Sequence, residues 1–144
     1  MDDRSRGMSR SDTMRTRAIA AAGLILIVCI GLASRMELFR AVPVLGGTFG
    51  DGAWAAAVYA AMRFLLPRAS IITIAACTLA IACTVECSQA WHPAWLDQLR
   101  THRIVQLLIG RGFLWVDFIA YLVGTVLVAG IDRALRARCG VHSA

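Results

Sequence analysis

Residues 69–91 read ASIITIAACTLAIACTVECSQAW. Glu86 is the only charged residue in the stretch. Coiled as a helix it would reach about 35 Å, enough for the ~30 Å hydrocarbon core of a bilayer. The stretch therefore predicts a membrane-crossing helix, and similar runs lie on both sides of it. Phe113 to Ile131 holds one charge, Asp117. Gly52 to Leu66 holds one charge, Arg63, which is expected to snorkel to the near interface. Ala18 to Ala33 holds none. This last run is slightly short, but flanking residues and interfacial anchoring can complete a span. The expected spans are thus about 18–34, 52–66, 69–91 and 113–131. A signal peptide is the competing reading of the first. The long basic region ahead of it and the span that soon follows favour an uncleaved helix.

Composition agrees. The chain has 144 residues, of which 58% are hydrophobic, and its mean hydropathy is +0.65. Counted with glycine and without tyrosine, the apolar share is about 65%, against roughly 45–50% in soluble domains. A soluble domain this small cannot bury that much apolar surface, and so apolar a chain is not disordered. The net charge is +6, and every basic residue counted in it is arginine, with no lysine. The arginines flank the apolar runs and form no single stripe, so no nucleic-acid partner is expected. Of the five cysteines, Cys29, Cys77, Cys83 and Cys87 lie in apolar runs and Cys139 lies near the end. The odd count and the lack of a CxxC pair argue against a disulfide framework. Cys83 and Cys87 are one helical turn apart but no histidine joins them, so neither a metal site nor a cofactor is expected.

Four crossings place both termini on one side. That side collects Arg4, Arg6, Arg10, Arg15, Arg17, Arg63, Arg68, Arg133, Arg136 and Arg138. The other collects Arg35, Arg40, Arg100, Arg103 and Arg111. Cationic loops stay in the cytoplasm, so both termini are expected there. Trp54, Trp91, Trp95 and Trp115 then lie near the outer span ends, as an aromatic belt does. The expected fold is all-α, a four-transmembrane-helix bundle with cytoplasmic N- and C-termini. Residues 1–17 read as a disordered basic tail, 18–132 as the membrane domain and 133–144 as a second basic tail. Between the third and fourth helices, 92–112 reads as a short interfacial or re-entrant segment.

Carboxylates inside a bilayer are costly, about 2.5–3.5 kcal/mol at a helix centre on insertion scales. Asp51 opens the second span, Glu86 lies near the end of the third and Asp117 near the start of the fourth. An up-down bundle brings all three to one leaflet, here the outer one, together with Arg111 just ahead of the fourth span. Glu86 and Gln89 share a helix face, as do Asp117, Tyr121 and Gly124. Gly124 would let a neighbouring helix approach closely. Glu86, Gln89, Asp117 and Tyr121 are therefore expected to face the bundle interior, with Arg111 as the carboxylates' partner. Plainer readings stand beside these. Asp51 suits a helix N-cap, and Asp117 suits a first turn where the dipole favours it. Glu86 stands at the end where the dipole disfavours it, so it is either a structural clamp with Arg111 or part of a site. His92 and His102 read as surface residues, Tyr59 and Tyr121 as packing residues with a hydrogen bond.

The segments GLASR (31–35), GDGAWA (50–55), VECSQ (85–89), PAWLDQLR (93–100), GRGFLWVD (110–117) and AYLVG (120–124) follow in an order that resembles the DUF2809 family. The resemblance covers about residues 31–132 and implies a small integral protein of the bacterial cytoplasmic (inner) membrane. A fainter resemblance runs to VanZ-like proteins. Glu86, Gln89, Arg111, Asp117 and Gly124 fit their E-x-x-Q pair, later arginine, aspartate and glycine. The chain departs from that pattern at Tyr121, where asparagine is common, and at Ala55, where histidine is common. The VanZ-like resemblance implies a link to the cell envelope.

Three functional readings follow. In the leading one, Glu86, Gln89, Arg111, Asp117, Tyr121 and Asp51 form an outer-leaflet polar pocket. It binds or moves an anionic lipid or a lipid-linked envelope component, so the expected partners are membrane lipids and such a substrate. In the second, the protein is a membrane-embedded enzyme using the Glu86/Asp117 pair as acid and base with Arg111. Against it, Ser88 has no base nearby in sequence and Cys87 no activating group. In the third, it is a structural or regulatory membrane subunit whose polar cluster sets helix register. The oligomeric state is left open.

Overall fold

The computed structural model describes residues 9–33, 48–89, 91, 93–99, 101–102, 104–105 and 115–138. Among these the chain is all-helical, in the order α1 (Arg10–Ala33), α2 (Thr48–Leu65), α3 (Ile71–Gln89), α4 (Ala94–Leu99) and α5 (Trp115–Arg138). Three of them, α1, α3 and α5, are long and apolar enough to cross a membrane. The chain thus carries the helices of a membrane protein.

Each helix has a local cause. Ser9 caps α1: its hydroxyl accepts the Ser11 N–H at 3.3 Å, and Asp12 stands in the first turn, where the dipole favours an acid. The helix therefore starts at Arg10, and residues 10–17 belong to it instead of to a disordered tail. Ser70 caps α3 by accepting the Thr73 N–H at 3.0 Å. Pro67 follows α2, and Ala69 N–H donates to the Leu66 carbonyl at 3.1 Å to close a tight turn into α3. At the other end of the chain, α5 runs past Ile131 through Asp132 and Arg136 to Arg138. Residues 133–138, expected in a tail, are helical as well. Of the segment expected between 92 and 112, the structure describes α4 and a few neighbours. Trp91 and Trp95 there meet edge to face at 5.9 Å and are largely exposed.

The central helix is α2, which packs against α1, α3 and α5, while α3 also packs against α5. It is not among the three helices apolar enough to qualify as spans, because Asp51 and Arg63 both fall within its 18 residues, and it is rich in alanine. The small side chains let three helices approach it. The closest approach is to α5. A Cβ on Gly124 would collide with the Gly52 carbonyl and lie 3.0 Å from the Gly52 Cα. A Cβ on Gly52 would lie 3.2 Å from the Ala120 carbonyl oxygen. The expectation of close approach at Gly124 thus holds, and α2 is the partner. Ala55, Ala82 and Tyr121 form the core above this contact, flanked by Trp54 and Leu79.

Helices α1 and α2 run in opposite directions, whereas α2 and α5 run parallel, Gly52 meeting Gly124 near their starts and Arg63 meeting Asp132 near their ends. Arg17, early in α1, donates to the Phe64 carbonyl late in α2 at 3.2 Å, and Gly31, late in α1, lies against Ala53, early in α2. On α1 only Thr13 and Ala20 are buried. Ile25 and Leu26 are 65% and 61% exposed. Such an apolar surface suits lipid and not water.

Candidate functional site

On α3 the buried residues are Ile74, Thr78, Ala82, Glu86 and Gln89, one stripe at helical spacing. The stripe faces α2 and α5, so Glu86 enters the bundle near the C-terminal end of its helix. It is fully buried, at 0% exposure. The Tyr121 hydroxyl, from α5, donates to Glu86 Oε2 at 2.9 Å. Gln89 Nε2, one turn on, donates to the same oxygen at 3.3 Å. Tyr121 is itself fixed by Trp54 of α2, whose ring lies 5.7 Å away at 55°. Side chains of α3 and α5 therefore hold one carboxylate, with α2 packed against Tyr121.

Asp117, one turn before Tyr121 on α5, is buried as well. It stands in the first turn of its helix, as Asp51 does in α2. The charges of Asp51 and Glu86 both bear on Asp117, so the three acids gather at one end of the bundle. Glu86, Gln89, Asp117 and Tyr121 all point inward, as their spacing implies, and Asp51 is half-buried beside them. Arg111, the expected cationic member, lies outside the described residues, as does His92. Among the described residues no group of three or more His, Cys, Asp or Glu is arranged to hold a metal ion.

A second polar cluster occupies the opposite end, and it corrects the expectation for Arg63. That side chain does not snorkel out; Arg63 is 3% exposed. Its Nη2 and Nε donate to Asp132 Oδ2 at 2.6 and 2.9 Å. Its Nη1 donates to the Ala69 carbonyl at 2.7 Å, tying down the α2–α3 turn. The Tyr59 hydroxyl donates to the same Asp132 oxygen at 2.8 Å. Arg136 holds the other oxygen through Nε at 3.2 Å and reaches the Pro67 carbonyl through Nη2 at 3.1 Å. One carboxylate thus joins two arginines and a tyrosine on α2 and α5. The sequence carries two hints of this cluster: Tyr59 and Arg63 stand one turn apart, and so do Asp132 and Arg136. Placing Asp132 just beyond the last expected span hides the connection.

No solved structure matches the chain. Residues 41–125 match the model of a family described as protein of unknown function, DUF2809. The match runs from ahead of α2 to beyond Gly124, so it takes in Asp51, Glu86, Gln89, Asp117 and Tyr121. It covers more than half of the chain, which belongs to the DUF2809 family.

Proposed function

We propose that the chain crosses the bacterial cytoplasmic membrane four times, with both termini in the cytoplasm. In this reading the Glu86 end of the bundle lies in the outer leaflet. There it holds the head of an anionic lipid or a lipid-linked envelope component. Several features support four crossings. Helix α2 carries two charges, fewer than α1 or α5, and both are accommodated. Asp51 stands in its first turn, and Arg63 is neutralised by Asp132. Helices α1, α3 and α5 surround it. The arginine-rich ends of α1 and α5 gather at its C-terminal end, through Arg17 to Phe64 and Arg136 to Pro67. Positive charge favours the cytoplasm, which leaves Asp51, Glu86 and Asp117 at the outer side.

The observation that carries the binding reading is Glu86, fully buried in an apolar bundle yet held in place by Tyr121 and Gln89. An ionisable group kept at such cost inside a membrane marks a functional site by default. Ionised carboxylates only accept hydrogen bonds. A cluster of them suits a head that offers hydroxyl or ammonium donors beside its anion. Arg111, just ahead of α5 in the sequence, would take the phosphate or carboxylate through its two-pronged guanidinium. The resemblance to VanZ-like proteins points the same way, toward the cell envelope.

Native mass spectrometry of protein purified in mild detergent tests this directly. The wild-type chain should retain an anionic lipid or lipid-linked species. Glu86→Gln and Arg111→Lys should remain folded and lose it, since a point charge does not replace a bidentate fork. Retention of the same lipids by both variants, with a lower unfolding temperature for Glu86→Gln, would make the cluster a clamp between α3 and α5 and end the proposal.

A further inference from the structure

Away from the Glu86 cluster, a cavity of about 230 Å³ opens between α1 and α5, with α2 as its floor. Gly23, Leu26 and Ile27 of α1 face Val128 and Ile131 of α5 across it, and Ala60 lies beneath. At one end the lining turns from apolar to charged: Asp12, Arg15, Arg63, Asp132 and Arg136. We propose that this groove is a binding slot for one acyl chain of an anionic phospholipid, whose phosphate sits on Arg15 beside Arg136. The lipid comes from the leaflet at the N-terminal end of α1, so the site is separate from the one at Glu86.

Polarity and charge select this occupant. The walls of the groove are apolar along most of their length, so a polar ligand would gain little there. The polar end holds three arginines and two aspartates, one positive charge in excess. Asp132 is already neutralised by Arg63 and Arg136. Arg63 spends its three nitrogens on Asp132, Tyr59 and the Ala69 carbonyl, whereas Arg15 stands exposed at the mouth. Arg136 gives Nε to Asp132 and Nη2 to the Pro67 carbonyl, so a phosphate held chiefly by Arg15, with the Arg136 charge beside it, meets a guanidinium suited to it. Asp12, also at the mouth, disfavours a second negative charge, so a monoanionic head fits best.

Gly23 provides the test. Gly23 lines the groove and a Cβ there meets nothing within 4 Å, so a side chain at this position starts in open space. The full chain is reconstituted in vesicles of phosphatidylglycerol and phosphatidylcholine in equal parts, extracted gently and weighed by native mass spectrometry. The wild type should retain one phosphatidylglycerol in clear preference to phosphatidylcholine. Gly23→Phe should lower that retention about tenfold while the unfolding temperature holds. Arg15→Glu should keep a lipid in the groove but abolish the preference for phosphatidylglycerol. Equal retention of the two lipids by the wild type would overturn the proposal. So would retention unaffected by Gly23→Phe, or a dimer that Gly23→Phe dissociates, which would make a second copy the occupant.

Discussion

Asp132 and Glu86 show how single buried carboxylates behave at the two ends of one bundle. Asp132 is compensated by charge, through Arg63 and Arg136, whereas Glu86 takes hydrogen bonds from Tyr121 and Gln89. Removing one partner of a buried ion pair typically costs about 3–5 kcal/mol, because the other is left uncompensated. Asp132→Ala strands Arg63, so it should lower stability in detergent by about 3 kcal/mol or more. Arg133→Ala, at an exposed neighbouring position, should change it by less than about 0.5 kcal/mol. Thermal unfolding of the pair measures the contrast. Thr125 behaves in the opposite way. It is 1% exposed and its hydroxyl has no hydrogen-bond partner among the described residues. Replacing an unsatisfied buried hydroxyl by a methyl of the same shape removes a desolvation penalty of about 1–3 kcal/mol. Thr125→Val should therefore leave stability unchanged or raise it, and a fall in unfolding temperature would show that the hydroxyl has found a partner. At this scale the sequence is readable where spacing within one helix suffices: Asp117, Tyr121 and Gly124 share a face by their numbers alone. Arg63 is not readable in that way. Alone in an apolar run it looks like a snorkelling side chain, and its partner stands 69 residues away.

Among the helices, the contact of α2 with α5 is the tightest, because Gly52 and Gly124 bring two backbones together. With no hydrophobic drive between helices in lipid, such close backbone contact supplies much of the association. Gly124→Ala puts a methyl group into the Gly52 carbonyl, so the helices must part. Overpacking of this kind costs about 1–3 kcal/mol. The same substitution at Gly130, where a Cβ meets nothing within 4 Å, should cost nothing or help the helix slightly. Unfolding in detergent should separate the two variants, and equal behaviour would show that the helices do not meet at Gly124. Element ends are less legible than element faces. Charged residues mark a span's limit by hydropathy, but a helix ends where its backbone groups find caps. Ser9 extends α1 back through Arg10, and the pairing of Asp132 and Arg136 with α2 carries α5 on to Arg138.

For the molecule as a whole, the central claim is that α2 crosses the membrane together with α1, α3 and α5. On composition α2 is the weakest of the four. Yet it is the helix on which the others pack, and its charges find partners or terminal positions. If α2 crosses, the turn at Arg68 lies on the cytoplasmic side, Leu99 outside and Cys139 inside. If it lies on the surface instead, the positions after α1 invert: Arg68 outside, Leu99 inside and Cys139 outside. The Glu86 cluster would then face the cytoplasm. Paired reporter fusions after Arg68, Leu99 and Cys139, one active only in the cytoplasm and one only in the periplasm, read these positions directly. The account predicts cytoplasmic signal at Arg68 and Cys139 and periplasmic signal at Leu99. The inverted pattern at all three would contradict it.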